Sequence, residues 1–142
     1  MEFKRGDRVE VHSEEEGFIG SYYTAKILAK SVPLQEYLVE YETLCTDENE
    51  PTKMLREIVG AGNVRPVPPE IKCSAYSVLD KVDAYGNDGW WVGRISSDVG
   101  EDGKYCVYFE NSKCESAYPG DKIRVHQEYK KGKWSVTNYK RS

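Results

Sequence analysis

Apolar and polar residues alternate in short runs along most of this chain. Val9 and Val11 flank Glu10; Tyr23, Ala25 and Ile27 share one face of a run; so do Tyr37, Val39 and Tyr41, then Trp91, Gly93 and Ile95, then Tyr105, Val107 and Phe109. A period of two in runs rich in β-branched and aromatic residues predicts half-buried strands. Turn-forming clusters separate the runs: Ser13-Glu14-Glu15-Glu16-Gly17, Gly86-Asn87-Asp88-Gly89 and Val99-Gly100-Glu101-Asp102-Gly103, the last reading as a hairpin with Asp-Gly in its turn. Residues 52–59 alone admit a helix, with Met54, Leu55 and Ile58 on one face; a short strand fits them equally. The chain is expected to be mainly β.

The runs repeat. Gly6-Asp7-Arg8-Val9-Glu10-Val11-His12 matches Leu79-Asp80-Lys81-Val82-Asp83-Ala84-Tyr85, 73 residues further on. An aromatic pair follows in each copy, Tyr22-Tyr23 and Trp90-Trp91, then Glu36-Tyr37-Leu38-Val39-Glu40-Tyr41-Glu42 against Lys104-Tyr105-Cys106-Val107-Tyr108-Phe109-Glu110, and Asn63-Val64-Arg65-Pro66 against Lys122-Ile123-Arg124-Val125. Four motifs in one order make two copies of one unit. Between them Pro66, Pro68 and Pro69 make a semi-rigid connector. The expected domains are residues 1–68 and 69–142, the second ending in a basic tail. Four or five short strands cannot bury both faces of an open sheet, so each copy should close into a small barrel. Cores that small are marginal alone, which predicts two barrels in tandem, packed together.

Composition narrows the function. The 142 residues carry a formal charge of −4, which repels phosphate and makes direct DNA binding unfavoured and a basic partner the better expectation. No stretch approaches the roughly 20 apolar residues of a membrane span, and Met1-Glu2-Phe3-Lys4-Arg5 lacks the apolar core of a signal peptide, so an intracellular protein is expected. Cys45, Cys73, Cys106 and Cys114 contain no Cys-x-x-Cys pair, and His12 and His126 are far apart in sequence. They read as free thiols with no metal centre and no cofactor. No Gly-rich phosphate loop, nucleophile elbow or metal motif is present, so no catalytic residue is assigned and the protein is not expected to be an enzyme.

The aromatic residues are the remaining chemistry. With small and aliphatic members filling each barrel, the aromatic at a strand end lines its mouth. Tyr23 then lies beside Tyr41 in the first copy and Trp91 beside Phe109 in the second, with Phe18 or His12, and Tyr85, as further walls. Aromatic faces attract a methylated ammonium that keeps its charge after losing part of its hydration. A nearby carboxylate strengthens the site and favours methylation states that retain an N–H. Glu14, Glu42 and Asp47 are the candidate acids of the first copy, Asp83 and Glu110 those of the second. On spacing alone, an aromatic pair on a small barrel is more often core or strand-pairing filler than a cage.

The order Gly6-Asp7-Arg8-Val9-Glu10-Val11, Glu16-Gly17-Phe18-Ile19-Gly20-Ser21-Tyr22-Tyr23, Tyr37-Leu38-Val39-Glu40-Tyr41, Asp80-Lys81-Val82-Asp83-Ala84-Tyr85 and Asp88-Gly89-Trp90-Trp91-Val92-Gly93 resembles the plant agenet domains of the Tudor-like Royal superfamily, over almost the whole chain. The pairing resembles that of heterochromatin-associated agenet proteins, which bind the tail of histone three methylated at lysine nine. The resemblance implies a nuclear histone reader linked to gene silencing, with a histone tail peptide as partner and further agenet domains in a longer parent chain. It implies cage positions at His12, Tyr23 and Tyr41 in the first domain, with Phe18 substituting for His12, a poorer wall, and Tyr22 replacing Tyr23 if the register slips by one. Glu14, Glu42 and Asp47 would contact the tail, and Tyr85, Trp91 and Phe109 would form a second cage. The alternative functions are nucleic-acid binding, suggested by Lys130, Lys131, Lys133, Lys140 and Arg141, and protein interaction without methyl-lysine recognition.

Overall fold

The computed structural model describes residues 2–13, 15, 17–31, 33–46, 49, 50 and 52–136. The chain divides into two compact units, Met1–Val67 and Pro68–Ser142. The first holds β1 (Arg8–His12), β2 (Ser21–Ser31), β3 (Glu36–Cys45), β4 (Met54–Gly60) and β5 (Val64–Pro66). They pair antiparallel in the order β5-β1-β2-β3-β4. The second holds β6 (Lys81–Gly86), β7 (Gly89–Ser97), β8 (Lys104–Phe109), β9 (Cys114–Pro119) and β10 (Ile123–Val125), in the order β10-β6-β7-β8-β9. A hairpin of β11 (Gln127–Lys130) and β12 (Lys133–Val136) follows. Most of the segment that admitted a helix is β4, hydrogen-bonded to the free side of β3.

Each five-stranded sheet is strongly curled. β4 and β5 stand at opposite edges of the first ladder, about 19 Å apart if it were flat. Only the single turn Ala61–Asn63 joins them, and four Cα steps reach at most about 14 Å. Gly120–Lys122 imposes the same closeness on β9 and β10. Register shifts at Ile27/Ala29 and at Ile95/Ser97 fall at matching places in the two copies and bend β2 and β7.

Val9, Val11, Ala25, Ile27, Val39 and Val64 fill the concave face of the first unit, and Val82, Ala84, Ile95, Val107 and Ile123 that of the second. One repeated plug was not read from the sequence. Phe3 packs its ring on Tyr37 at 5.7 Å and donates its N–H to the Tyr37 hydroxyl, and Tyr76 does both to Tyr105, with the rings at 5.4 Å. Each ring precedes the first strand of its unit and stoppers one end of the core.

The charged residues interleaved in β1 and β6 are buried too. Arg65 bonds Glu10 at 2.8 Å and lays its guanidinium 3.6 Å from the centre of the Tyr22 ring. Arg124 bonds Asp83 at 2.8 Å and stacks 4.2 Å over Trp90. Among the described residues no buried side-chain nitrogen or oxygen lacks a hydrogen-bond partner.

The tight bend before each first strand also repeats, with Lys4 N–H on Asp7 and Ser77 N–H on Asp80. The residue before the aspartate has positive φ in both, Gly6 at 93° and Leu79 at 78°. Glycine adopts that region freely, whereas a side chain there costs about 1–2 kcal/mol. Leu79 is 66% exposed and so contributes little burial in exchange. Leu79→Gly is therefore expected to raise stability by up to about 1 kcal/mol after the larger unfolded-state entropy of glycine is deducted. An unchanged or lowered urea midpoint would contradict this.

Candidate functional site

The first unit opens into a hollow of about 570 Å³ bordered by Phe18, Tyr23, Tyr41, Glu57 and His12, with Leu44, Leu55 and Ile58 among the apolar lining. Its size is that of small-ligand sites, roughly 300–1,000 Å³. Strand geometry brings the rings together. Val11 pairs with Tyr23 and Ala25 with Tyr41, so Tyr23 and Tyr41 fall on the concave face beside one another, 6.4 Å apart and nearly perpendicular at 87°. The long loop of residues 13–20 then carries Phe18 to within 6.5 Å of Tyr23. Tyr23 and Tyr41 retain 7% and 5% of their surface, whereas Phe18 is 46% exposed and forms the outer wall.

A carboxylate closes the set. The Tyr41 hydroxyl donates to Glu57 Oε1 at 2.5 Å. Burial, and then this bond, push the Tyr41 pKa upward, so the phenol stays a donor at neutral pH. Glu15 also borders the hollow. Glu15 belongs to the acidic run Glu14-Glu15-Glu16 that the sequence presents, whereas Glu57 carries no local signal. Glu57 lies in the segment that could be read as a helix; only as a strand paired with β3 do Leu55, Glu57 and Val59 share a face.

Other expected site residues are placed elsewhere. Tyr22 lies on the opposite face of β2, beneath Arg65 and 6.0 Å from the His12 ring, because the register holds Tyr23 inward. Glu42 also faces outward, one residue after the inward Tyr41, and is held by Arg8 through two hydrogen bonds of 2.8 and 3.1 Å. Glu14 and Asp47 lie outside the described residues.

Tyr85, Trp91 and Phe109 of the second unit do not share one face. Trp91 and Phe109 alternate inward with Gly93 and Val107, but Tyr85 alternates outward with Asp83. The Tyr85 ring packs 5.1 Å from Trp90 and already has the Lys122 ammonium 5.4 Å over its centre. Phe109 packs on Tyr118 at 6.0 Å, and Trp91 Nε1 donates to the Gly86 carbonyl at 2.9 Å. Loop length explains the difference between copies. Residues 13–20 supply Phe18 and Glu15 in the first, whereas β6 and β7 are joined by Asn87-Asp88 alone, at φ of 49° and 67°. A two-residue turn of that type carries no third wall.

Among the described residues no group of three or more His, Cys, Asp or Glu is placed to hold a metal. No helix among the described residues is long and apolar enough to cross a membrane.

The agenet-domain family profile matches residues 6–69. Over 92% of its length the chain is 39% identical to Protein AGENET DOMAIN (AGD)-CONTAINING P1 of Arabidopsis thaliana, and over 89% it is 33% identical to DUF724 domain-containing protein 3 of the same plant. It spans 26% of the first protein and 18% of the second. The crystal structure of Arabidopsis thaliana AGDP1 AGD34 superposes with a TM-score of 0.86 at 33% identity, covering 94% of this chain and 89% of that one. The crystal structure of ADCP1 tandem Agenet domain 3-4 gives 0.83 at 29% identity, covering 94% and 87%. With the repeated strand order, these likenesses lead to one assignment: the chain belongs to the agenet family, whose domains are binding modules.

Proposed function

We propose that this chain is a chromatin reader that takes a methylated lysine of a histone tail into the hollow of the first unit. The observation that carries this reading is the meeting of Phe18, Tyr23 and Tyr41 around one open hollow with the Glu57 carboxylate at its side. Three ring faces and an anion suit a desolvated cation. Lysine nine of histone three is the position favoured by the resemblance to heterochromatin-associated agenet proteins, and nuclear location and a role in silencing follow from the same reading. A parent chain with further agenet domains agrees with the short span of the relatives covered and with neighbours that are domains three and four of their proteins.

The test is titration of the full chain with one histone peptide, unmethylated and methylated at lysine nine. A cation–π gain of about 1–2 kcal/mol predicts roughly 5- to 30-fold tighter binding of the methylated form. Phe18→Ala is expected to erase most of that ratio. Phe18 is exposed, so its loss does not threaten the fold as Tyr41→Ala does. Equal binding of both peptides by the unaltered chain would end the reader proposal.

A further inference from the structure

The net charge conceals a separation. Residues 129–142 contain Lys130, Lys131, Lys133, Lys140 and Arg141 and no acid, so the formal −4 divides into +5 here and −9 over the other 128 residues. The described part of this segment belongs to the β11–β12 hairpin. Lys130 and Lys133 are directly opposite one another across the ladder, and Lys131 and Gly132 form the turn at φ of 52° and 77°. Lys130, Lys131 and Lys133 are all exposed, and among the described residues no carboxylate forms an ion pair with them.

Like charges directly opposite in a ladder destabilise it, and an isolated hairpin is marginal to begin with. This one is nevertheless held firmly. The neighbouring register pair is Tyr129 and Trp134, with rings 4.9 Å apart on the face away from Lys130 and Lys133. At its base Gln127 donates to the Pro69 carbonyl, and Glu128 bonds the buried His126 ring. A two-residue turn thus presents three exposed ammonium groups within a few residues, none of them in an ion pair among the described residues, with Glu128 the carboxylate whose charge Lys130 feels.

We propose that this hairpin tip is a sequence-independent contact for the sugar–phosphate backbone of nucleic acid, separate from the hollow of the first unit. Double-stranded DNA carries a charge about every 1.7 Å of axis, which suits closely grouped lysines acting as point charges. The acidic remainder of the chain confines the contact to the tip and keeps it weak. The low overall charge argued against DNA binding because it averaged two regions of opposite sign.

The experiment is fluorescence anisotropy of the full chain with a labelled random-sequence 20-base-pair DNA duplex, a single-stranded RNA of matched length, and polyglutamate, each between 50 and 200 mM salt. Because each neutralised phosphate contributes about 0.9 to the slope of log K against log salt, a slope of roughly −3 to −5 is expected with nucleic acid. The variant Lys130→Gln/Lys131→Gln/Lys133→Gln should flatten the slope by about 3 and weaken binding at 50 mM salt at least about tenfold. Its circular dichroism and its affinity for the methylated peptide should be unchanged. The DNA and RNA arms distinguish which nucleic acid supplies the phosphates. Equal nucleic-acid binding by the variant and the unaltered chain, no binding by either, or tighter binding of polyglutamate than of nucleic acid would overturn the proposal.

Discussion

Replacing Asp83 with alanine should lower the stability of the chain by about 3–5 kcal/mol, the usual cost of removing one partner from a buried charged set. Asp83 Oδ2 accepts from Arg124 Nε at 2.8 Å, and Oδ1 meets His126 Nδ1 at 2.7 Å. Without the carboxylate, the Arg124 guanidinium over Trp90 and the buried His126 ring each lose their central anion, and hydrocarbon cannot replace it. Arg8→Ala provides the contrast, because the Arg8–Glu42 pair is geometrically as good but exposed and should contribute no more than about 1 kcal/mol. Urea midpoints of the two variants test this directly. A loss under about 1 kcal/mol for Asp83→Ala would mean that the buried set relaxes into water when cut.

The same set gives the second unit an acid-sensitive edge. Burial acts most strongly on Glu128 and raises its pKa, but the hydrogen bond and charge of His126, aided by Lys81 and Lys130, outweigh burial and hold it below its ordinary value of 4.5. A carboxyl with a lowered folded-state pKa stabilises the fold fully above its unfolded value and loses that contribution as pH falls through the folded one. The stabilisation from the Glu128 contact with His126 is therefore full at pH 7, begins to decline as pH falls below about 4.5, and is lost as pH passes through the lower folded value. Glu128→Gln should flatten the fall of the urea midpoint over that acid range.

Much of this architecture was legible because the chain states it twice. Val9 and Val82, Ile27 and Ile95, Val39 and Val107 are core residues at matching positions, and period-two alternation identifies such residues without long-range information. Alternation alone does not reveal that Glu10 and Asp83 are buried. A charge between two inward apolar residues ordinarily faces solvent; here each is buried, because an arginine from the last strand of its unit reaches back to it. That arginine is 55 residues away from Glu10 and 41 from Asp83, a separation over which strand periodicity carries no information. The site was legible in its rings and illegible in its acid. Tyr23 and Tyr41 follow from alternation and Phe18 from a long loop, but Glu57 needed the pairing of β3 with β4, which no local pattern specifies. Loop length was the stronger discriminator between the copies than the number of rings in each.

Gly93→Ala should destabilise the second unit by about 1–3 kcal/mol, toward the upper end for a small residue enlarged in a packed core. A Cβ built on Gly93 would lie 2.7 Å from Val107 Cγ1, 2.8 Å from the Tyr108 carbonyl oxygen and 3.0 Å from Phe109 Cδ1. Two of these are side-chain atoms, but the carbonyl belongs to the β7–β8 ladder and yields only if the ladder does. The corresponding residue of the first unit is Ala25, fully buried and paired with Tyr41. The difference of one methyl group accounts for the unlike fates of two equivalent rings. The Phe109 ring lies over the space that glycine leaves, whereas Ala25 fills that space and Tyr41 borders the hollow, bonded to Glu57. The expected result is a lower urea midpoint for Gly93→Ala, with chemical-shift changes centred on Val107 and Phe109. A midpoint equal to that of the unaltered chain would show that β7 and β8 separate easily, and that the absence of a methyl group at Gly93 is not what draws Phe109 inward.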